Sequence, residues 1–164
     1  LGEDNSPVSP EDAEYIPKSI GRSVTPDHDI TDRAEVWRIF LKLSEDISRG
    51  LSEKGLYAGG IQIHTRDTTL KVKETARALD CPVNTSLVIA KRGMEIFDAA
   101  YEWNLPLRSV GLRAINLKDE CFAVQEDFFG ERSEEKREEL IESSIQNVRE
   151  RFGNDSLMRG TTME

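Results

Sequence analysis

Cations recur beside glycines and serines at two places in this chain, Lys18-Ser19-Ile20-Gly21-Arg22 and Arg108-Ser109-Val110-Gly111-Leu112-Arg113. Glycine has no side chain and serine a small one, so anionic oxygens can approach the backbone N–H groups at such stretches. Lysine and arginine beside them supply charge and donors. The combination suits holding phosphate oxygens without doing chemistry on them. A third stretch, Thr65 to Lys73, adds Arg66, Lys71 and Lys73 together with the hydroxyls of Thr65, Thr68 and Thr69. Metal and nucleophile chemistry find no comparable pattern. His28 and His64 stand far apart without ligand spacing, the carboxylates form no recognisable catalytic pair, and Cys81 and Cys121 show no CxxC spacing. Both thiols read as idle in a reducing cytosol.

The elements that must position these residues are legible from periodicity. Residues 1–14 are acidic, polar and hold Pro7 and Pro10, a linker or the remnant of a preceding domain. The start at Leu1-Gly2 without Met points to a segment excised from a longer product. No signal peptide and no apolar run near the roughly 18 residues of a membrane span is present, so a cytoplasmic protein with no membrane partner is expected. Glu14 to Ser23 leads into a first strand, and Pro26, Asp27, Asp29 and Asp32 mark a loop. Thr31 is the expected N-cap of a helix carrying Val36, Phe40, Leu43, Ile47 and Leu51 on one stripe and ending between Gly50 and Gly55.

Tyr57 to Arg66 alternates with period two, Ile61 and Ile63 against Gln62 and His64, and Thr69 to Thr75 alternates again, Leu70 and Val72 against Lys71 and Lys73. The turn between them makes a hairpin with an apolar side and a basic side. A second helix, capped by Asn84 or Thr85, carries Ala90, Met94, Phe97 and Tyr101 and ends by Pro106. Leu107 to Leu117 is the last strand. The order βαββαβ predicts an α+β, split βαβ domain over residues 15–118: a four-stranded antiparallel sheet with two helices on one face and the other face open.

Charge is distributed unevenly over these elements. The formal net charge is −9, but residues 1–17 hold five acids and no base, and residues 119–164 hold thirteen acids and six bases. That leaves sixteen bases and thirteen acids in 18–118, a net of +3. The strand segments carry +7 of this, so the helices and loops must be negative. The expectation is an acidic helix face and a basic sheet face. Trp37, Phe40, Phe97, Tyr101 and Trp103 all fall to helices and their core, leaving the strands without the aromatic platforms of a single-strand RNA reader.

Lys18-Ser-Ile-Gly-Arg22 and the Arg108-to-Arg113 strand, at this spacing, resemble the start and the last strand of the C-terminal little finger domain of Y-family, DinB/UmuC/ImpB-type translesion DNA polymerases. The resemblance covers roughly residues 7–118. It implies a fragment that grips the template-primer backbone of duplex DNA in lesion bypass, DNA repair and the SOS response, without catalysing synthesis. It further implies that the magnesium-binding carboxylates and the nucleotide pocket lie in a palm domain outside this chain, with no cofactor here. The implied DNA contacts are Ser19, Ile20, Gly21, Arg22, Thr65, Arg66, Thr68, Thr69, Lys71, Lys73, Arg108, Ser109, Gly111 and Arg113. About five neutralised phosphates would give a salt slope near −4 to −5.

The alternative from another class is a ligand-sensing regulatory module of ferredoxin-like fold that dimerises and ignores nucleic acid. Beyond the domain, a linker over 119–132 contains Gln125-Glu126-Asp127-Phe128-Phe129, which resembles the peptide by which bacterial polymerases hook the sliding clamp, with Gln125, Phe128 and Phe129 as anchors. Residues 133–153 form an expected amphipathic helix, capped by Ser133, with Ile141, Ile145, Val148 and Phe152 in line. Residues 154–164 are a tail whose sequence is similar to that of Gram-positive DinB-type polymerases. The sequence leaves open whether the helix docks on the sheet, on the rest of the polymerase chain or on another chain. That it covers the basic sheet when DNA is absent is a hypothesis, which an ordered tail far from that sheet rejects.

Overall fold

Strand alternation and helical stripes resolve into six elements in a computed structural model: β1 Ser19–Val24, α1 Arg33–Ser52, β2 Tyr57–Asp67, β3 Val72–Val83, α2 Ser86–Ala100 and β4 Leu107–Lys118. The structure describes residues 17–119 and thirteen residues of the tail between 137 and 157. Candidate anchors Gln125, Phe128 and Phe129, the linker over 119–132 beyond its first residue, and residues 1–16 lie outside the described residues.

The apolar stripe expected for α1 is the one it buries: Val36, Phe40, Leu43, Ile47 and Leu51. Its cap is Asp32 and not Thr31, with the Asp32 carboxylate accepting from Ala34 N–H at 3.1 Å. A carboxylate satisfies an orphan N–H and also meets the positive end of the helix dipole, which a hydroxyl does not. Asp32→Ala is expected to lower stability by about 1 kcal/mol. The effect should appear as a lower denaturant midpoint with unchanged slope; an unmoved midpoint would mean the cap contributes nothing.

α2 buries Ala90, Met94 and Phe97 as expected, while Tyr101 is its C-cap and Trp103 lies in the following loop. Gly93 brings α2 close to the sheet. A Cβ there would stand 2.6 Å from Leu112 Cδ1 and 3.3 Å from Phe40.

All neighbouring strands are antiparallel in the order β1-β4-β2-β3. β4 lies between β1 and β2, and β2 lies between β4 and β3. Each strand–helix–strand crossover therefore spans one intervening strand, the split arrangement that the element order implies. The core is a single layer between helices and sheet, centred on Phe40, Phe97, Ile61, Ile63 and Leu112.

The helix layer is not acidic. α1 carries four bases and three acids, and α2 two of each, so the negative charge of the domain sits in its loops. In the tail, residues 137 to 152 are helical wherever they are described, as the stripe predicts. Ile145 and Val148 are half-buried, whereas Ile141 and Phe152 are exposed. The Arg149 guanidinium donates to Glu45 on α1 at 3.1 Å and to the Leu157 carbonyl at 2.8 Å. This ion pair is shielded, with the two side chains 10% and 16% exposed. The tail thus meets the helix layer, which overturns the hypothesis that it covers the open sheet.

Candidate nucleic-acid interface

Cross-strand register decides which side chains share the helix-free face, because a strand turns successive residues to opposite sides. Four lateral rows lie on that face. The first is Ser109, Arg66 and Val72; the second Ser23, Gly111, His64 and Glu74. The third is Gly21, Arg113, Gln62 and Ala76; the fourth Ser19, Ile115, Gly60 and Ala78. Along its centre runs a shallow depression of about 360 Å³ lined by Gly21, Ser23, Gln62, His64, Arg66 and Arg113, among others.

Six of the expected contact residues therefore lie together: Ser19, Gly21, Arg66, Ser109, Gly111 and Arg113. The Arg66 and Arg113 rows are two rows apart, roughly 13 Å along the strands. Gly21 has a particular task. A Cβ at position 21 would stand 3.0 Å from Arg113 Cγ and 3.1 Å from its Nε, so the missing side chain is what lets Arg113 lie across β1. The space over this glycine is filled by the arginine and not left open.

Of the remaining expected residues only Arg22 reaches the depression, from the β1 edge, and the single basic surface predicted from charge is corrected accordingly. Ile20 pairs with Ala114 and packs on the core. Arg22 pairs with Leu112, which roots it on the helix side of edge strand β1, yet it is exposed, its Nη1 donates to the Gly21 carbonyl at 3.0 Å, and it lines the edge of the depression. Thr65 is buried beside Val110, its hydroxyl donating to the Lys73 carbonyl at 3.3 Å. Lys73 Nζ donates to the Ala100 carbonyl at 2.7 Å, where a cation meets the negative end of α2. Arg108 Nη1 donates to the Pro26 carbonyl at 2.9 Å and sits 3.9 Å from Asp29, which ties the end of β4 to the loop before α1.

Arg22 and Arg113 thus both reach Gly21 at the β1 side of the depression, while Arg108 lies apart from them. The hairpin's two sides are also exchanged. Val72, opposite Arg66, is on the open face and Lys73 on the helix side.

That exchange comes from the turn. Asp67 Oδ1 accepts from Thr69 N–H at 2.8 Å, the Thr69 hydroxyl at 2.6 Å and Lys71 N–H at 3.1 Å. Thr69, foremost, and these backbone donors hold the Asp67 carboxyl below its usual range. Leu70 takes a left-handed φ of 67° and is exposed. Thr68, Thr69 and Lys71 are therefore hairpin-tip residues, and β3 begins at Val72 and runs to Val83 instead of ending near Thr75.

Three further residues belong to the open face. Ser23, Gln62 and Glu74 were signalled only by strand parity, which has no meaning until the register is known. Gln62 Nε2 donates to Glu74 Oε2 at 3.0 Å, and His64 Nδ1 lies 3.6 Å from Glu74 Oε1. His64 lies on the open face as a polar strand residue and is half-buried there. Among the described residues no group of three His, Cys, Asp or Glu side chains gathers to hold a metal ion.

His28 lies apart from this face, in the loop before α1. Its ring contacts Asp27 at 2.8 Å and Glu35 at 2.7 Å, and Asp27, then Glu35, raise its pKa above the ordinary 6.5. Its contribution to stability is fully present below 6.5 and is lost as pH rises through the raised folded value. An NMR titration should find the His28 midpoint above 6.5; a midpoint at or below it would mean that both contacts are absent in solution.

Residues 17–128 match the C-terminal domain of the impB/mucB/samB family. The chain is 31% identical over 163 residues to DNA polymerase IV of Acetivibrio thermocellus, covering 99% of this chain and 41% of that protein. It is 25% identical over 160 residues to DNA polymerase IV 1 of Bacillus subtilis, covering 98% and 38%. The chain thus spans about two fifths of these relatives. A solved complex of the beta-clamp processivity factor and the little finger domain of PolIV shares the fold, with a TM-score of 0.51 and 17% identity over 68% of this chain and 98% of that one.

Proposed function

The chain belongs to the impB/mucB/samB family through its C-terminal domain, and on that premise we propose that it serves a lesion-bypass DNA polymerase as the part that holds duplex DNA. The observation that carries this reading is the helix-free sheet face, on which Arg66 and Arg113 flank a depression lined between them by Ser23, Gln62, His64 and Gly111. Small residues let a phosphate backbone come close, and two arginines supply forked donors that position without reading bases. Nucleotidyl transfer belongs to the remainder of the polymerase, with its magnesium ions held there. An incorporation assay on this chain alone should show no synthesis.

Duplex binding measured across a salt series tests the reading. Two engaged arginines give a slope of log K against log salt near −2, and a slope near −4 requires Arg22 at the β1 edge and Lys71 at the hairpin tip as well. Unrelated duplex sequences should bind alike. Salt-insensitive or absent binding, together with a dimer in solution, would favour a ligand-sensing module instead.

The tail adds a second contact. The structural neighbour was solved with a beta-clamp, and Gln125, Phe128 and Phe129 lie just beyond β4 in the pattern of a clamp-hooking peptide. Two adjacent phenylalanines entering an apolar pocket act as anchors, so changing both to alanine should cost at least about 30-fold in affinity for a bacterial sliding clamp. Unchanged clamp affinity would remove the tail from this role while leaving the duplex reading intact.

A further inference from the structure

We infer that Glu74 sets how weakly the open sheet face holds duplex DNA, as a fixed negative charge placed among its phosphate-binding arginines; the inference rests on the duplex-binding reading above. Among residues paired across the open face, Glu74 is the one carboxylate. Its row lies between the Arg66 row and the Arg113 row, roughly 7 Å from each along the strands. Arg66, on neighbouring β2, is its diagonal neighbour at about 8 Å, so a phosphate seated there is within about a Debye length of the carboxylate at physiological salt. Arg113, by contrast, lies two strands away and extends over β1.

The carboxylate is also held in place. Gln62 Nε2 donates to Oε2 at 3.0 Å, and His64 Nδ1 stands 3.6 Å from Oε1. Gln62 is neutral, so its hydrogen bond orients the carboxylate without cancelling the charge. Among the described residues no arginine or lysine pairs with Glu74, although Arg66 occupies the neighbouring row on β2. The side chain is 54% exposed, so the charge faces whatever approaches the sheet. A surface built only for tight binding would carry a cation or a small uncharged residue here, as Ser23 and Gly111 are further along the same row. An acid held by an amide instead opposes the approach of phosphates on the β3 side and leaves the hold easily broken.

Fluorescence anisotropy with a short duplex from 50 to 200 mM salt tests this on the chain as it stands. Glu74→Gln keeps the size and one acceptor while removing the charge, and should tighten binding about three- to fivefold at low salt, with the gain shrinking as salt rises. Glu95→Gln is the control. Glu95 is exposed on α2, in the helix layer, where it pairs with Arg92 at 3.1 Å, so its substitution makes the same change in net charge away from the face. It should alter affinity by less than about 1.5-fold. Equal or weaker binding by Glu74→Gln, or an equal gain from Glu95→Gln, overturns the inference while the duplex reading stands. If the unsubstituted chain shows no salt-sensitive duplex binding, the reading itself falls and the inference with it.

Discussion

Changing Arg66 and Arg113 together to alanine is expected to weaken duplex binding on the order of 100-fold at low salt, since each charge-assisted contact contributes about 1.5 kcal/mol or more. The salt slope should flatten by about two units, one per lost phosphate contact. Stability should hold, because both side chains are exposed and neither takes part in the core. Lys73→Ala is a telling comparison. Its ammonium is spent on the Ala100 carbonyl, so the loss should fall on stability and leave affinity within about twofold. Arg77 lies on edge strand β3, opposite Ile61 and so on the helix side. If the double substitution leaves affinity within twofold while Arg22→Ala with Arg77→Ala abolishes it, the DNA lies along the sheet edges and not across the face.

Local periodicity made most of the fold readable before any coordinates. Val36, Phe40, Leu43, Ile47 and Leu51 recur at a spacing only a helix can bury on one side, and Ile61 and Ile63 alternate as only a half-buried strand does. Those signals live within one element. The site depends on relations between elements, which no single segment contains. Arg22 and Gly21 are adjacent in the sequence, yet pleating sends them to opposite sides of β1.

Lys73 looked like part of a basic hairpin face until the loop held by Asp67 fixed β2 against β3, with Arg66 opposite Val72. That pairing turned the whole strand over. Strand cations do not share a side merely by lying on strands: the register divides them between the open face, the edges and the strand ends. Ser19, Gly21, Ser109, Gly111 and Arg113 share one face because β1 and β4 set them at matching parity, and Arg66 joins them from β2 opposite Ser109.

Phe97→Ala is expected to cost the domain about 3–5 kcal/mol, the range for truncating a fully buried phenylalanine. Phe97 has no exposed surface and touches three other rings. Phe40 meets it edge-on at 6.2 Å, Tyr101 stacks at 5.3 Å and Trp103 meets it edge-on at 5.7 Å. Removing it leaves a cavity where α1, α2 and the loop before β4 converge. Those surroundings cannot collapse easily, since Gly93 already brings α2 within close reach of Leu112. For a domain near 100 residues, such a loss should lower the melting temperature by about 15–30 °C. Tyr101→Phe separates ring packing from the hydroxyl, which donates to the Leu105 carbonyl at 2.6 Å and should account for about 1 kcal/mol. Trp103 sits 5.5 Å from Tyr101, so its fluorescence reports the same unfolding. A loss below about 1.5 kcal/mol for Phe97→Ala would mean that the aromatic cluster is not the centre of the core, and that the helices are held to the sheet chiefly through Phe40, Ile61 and Ile63 instead.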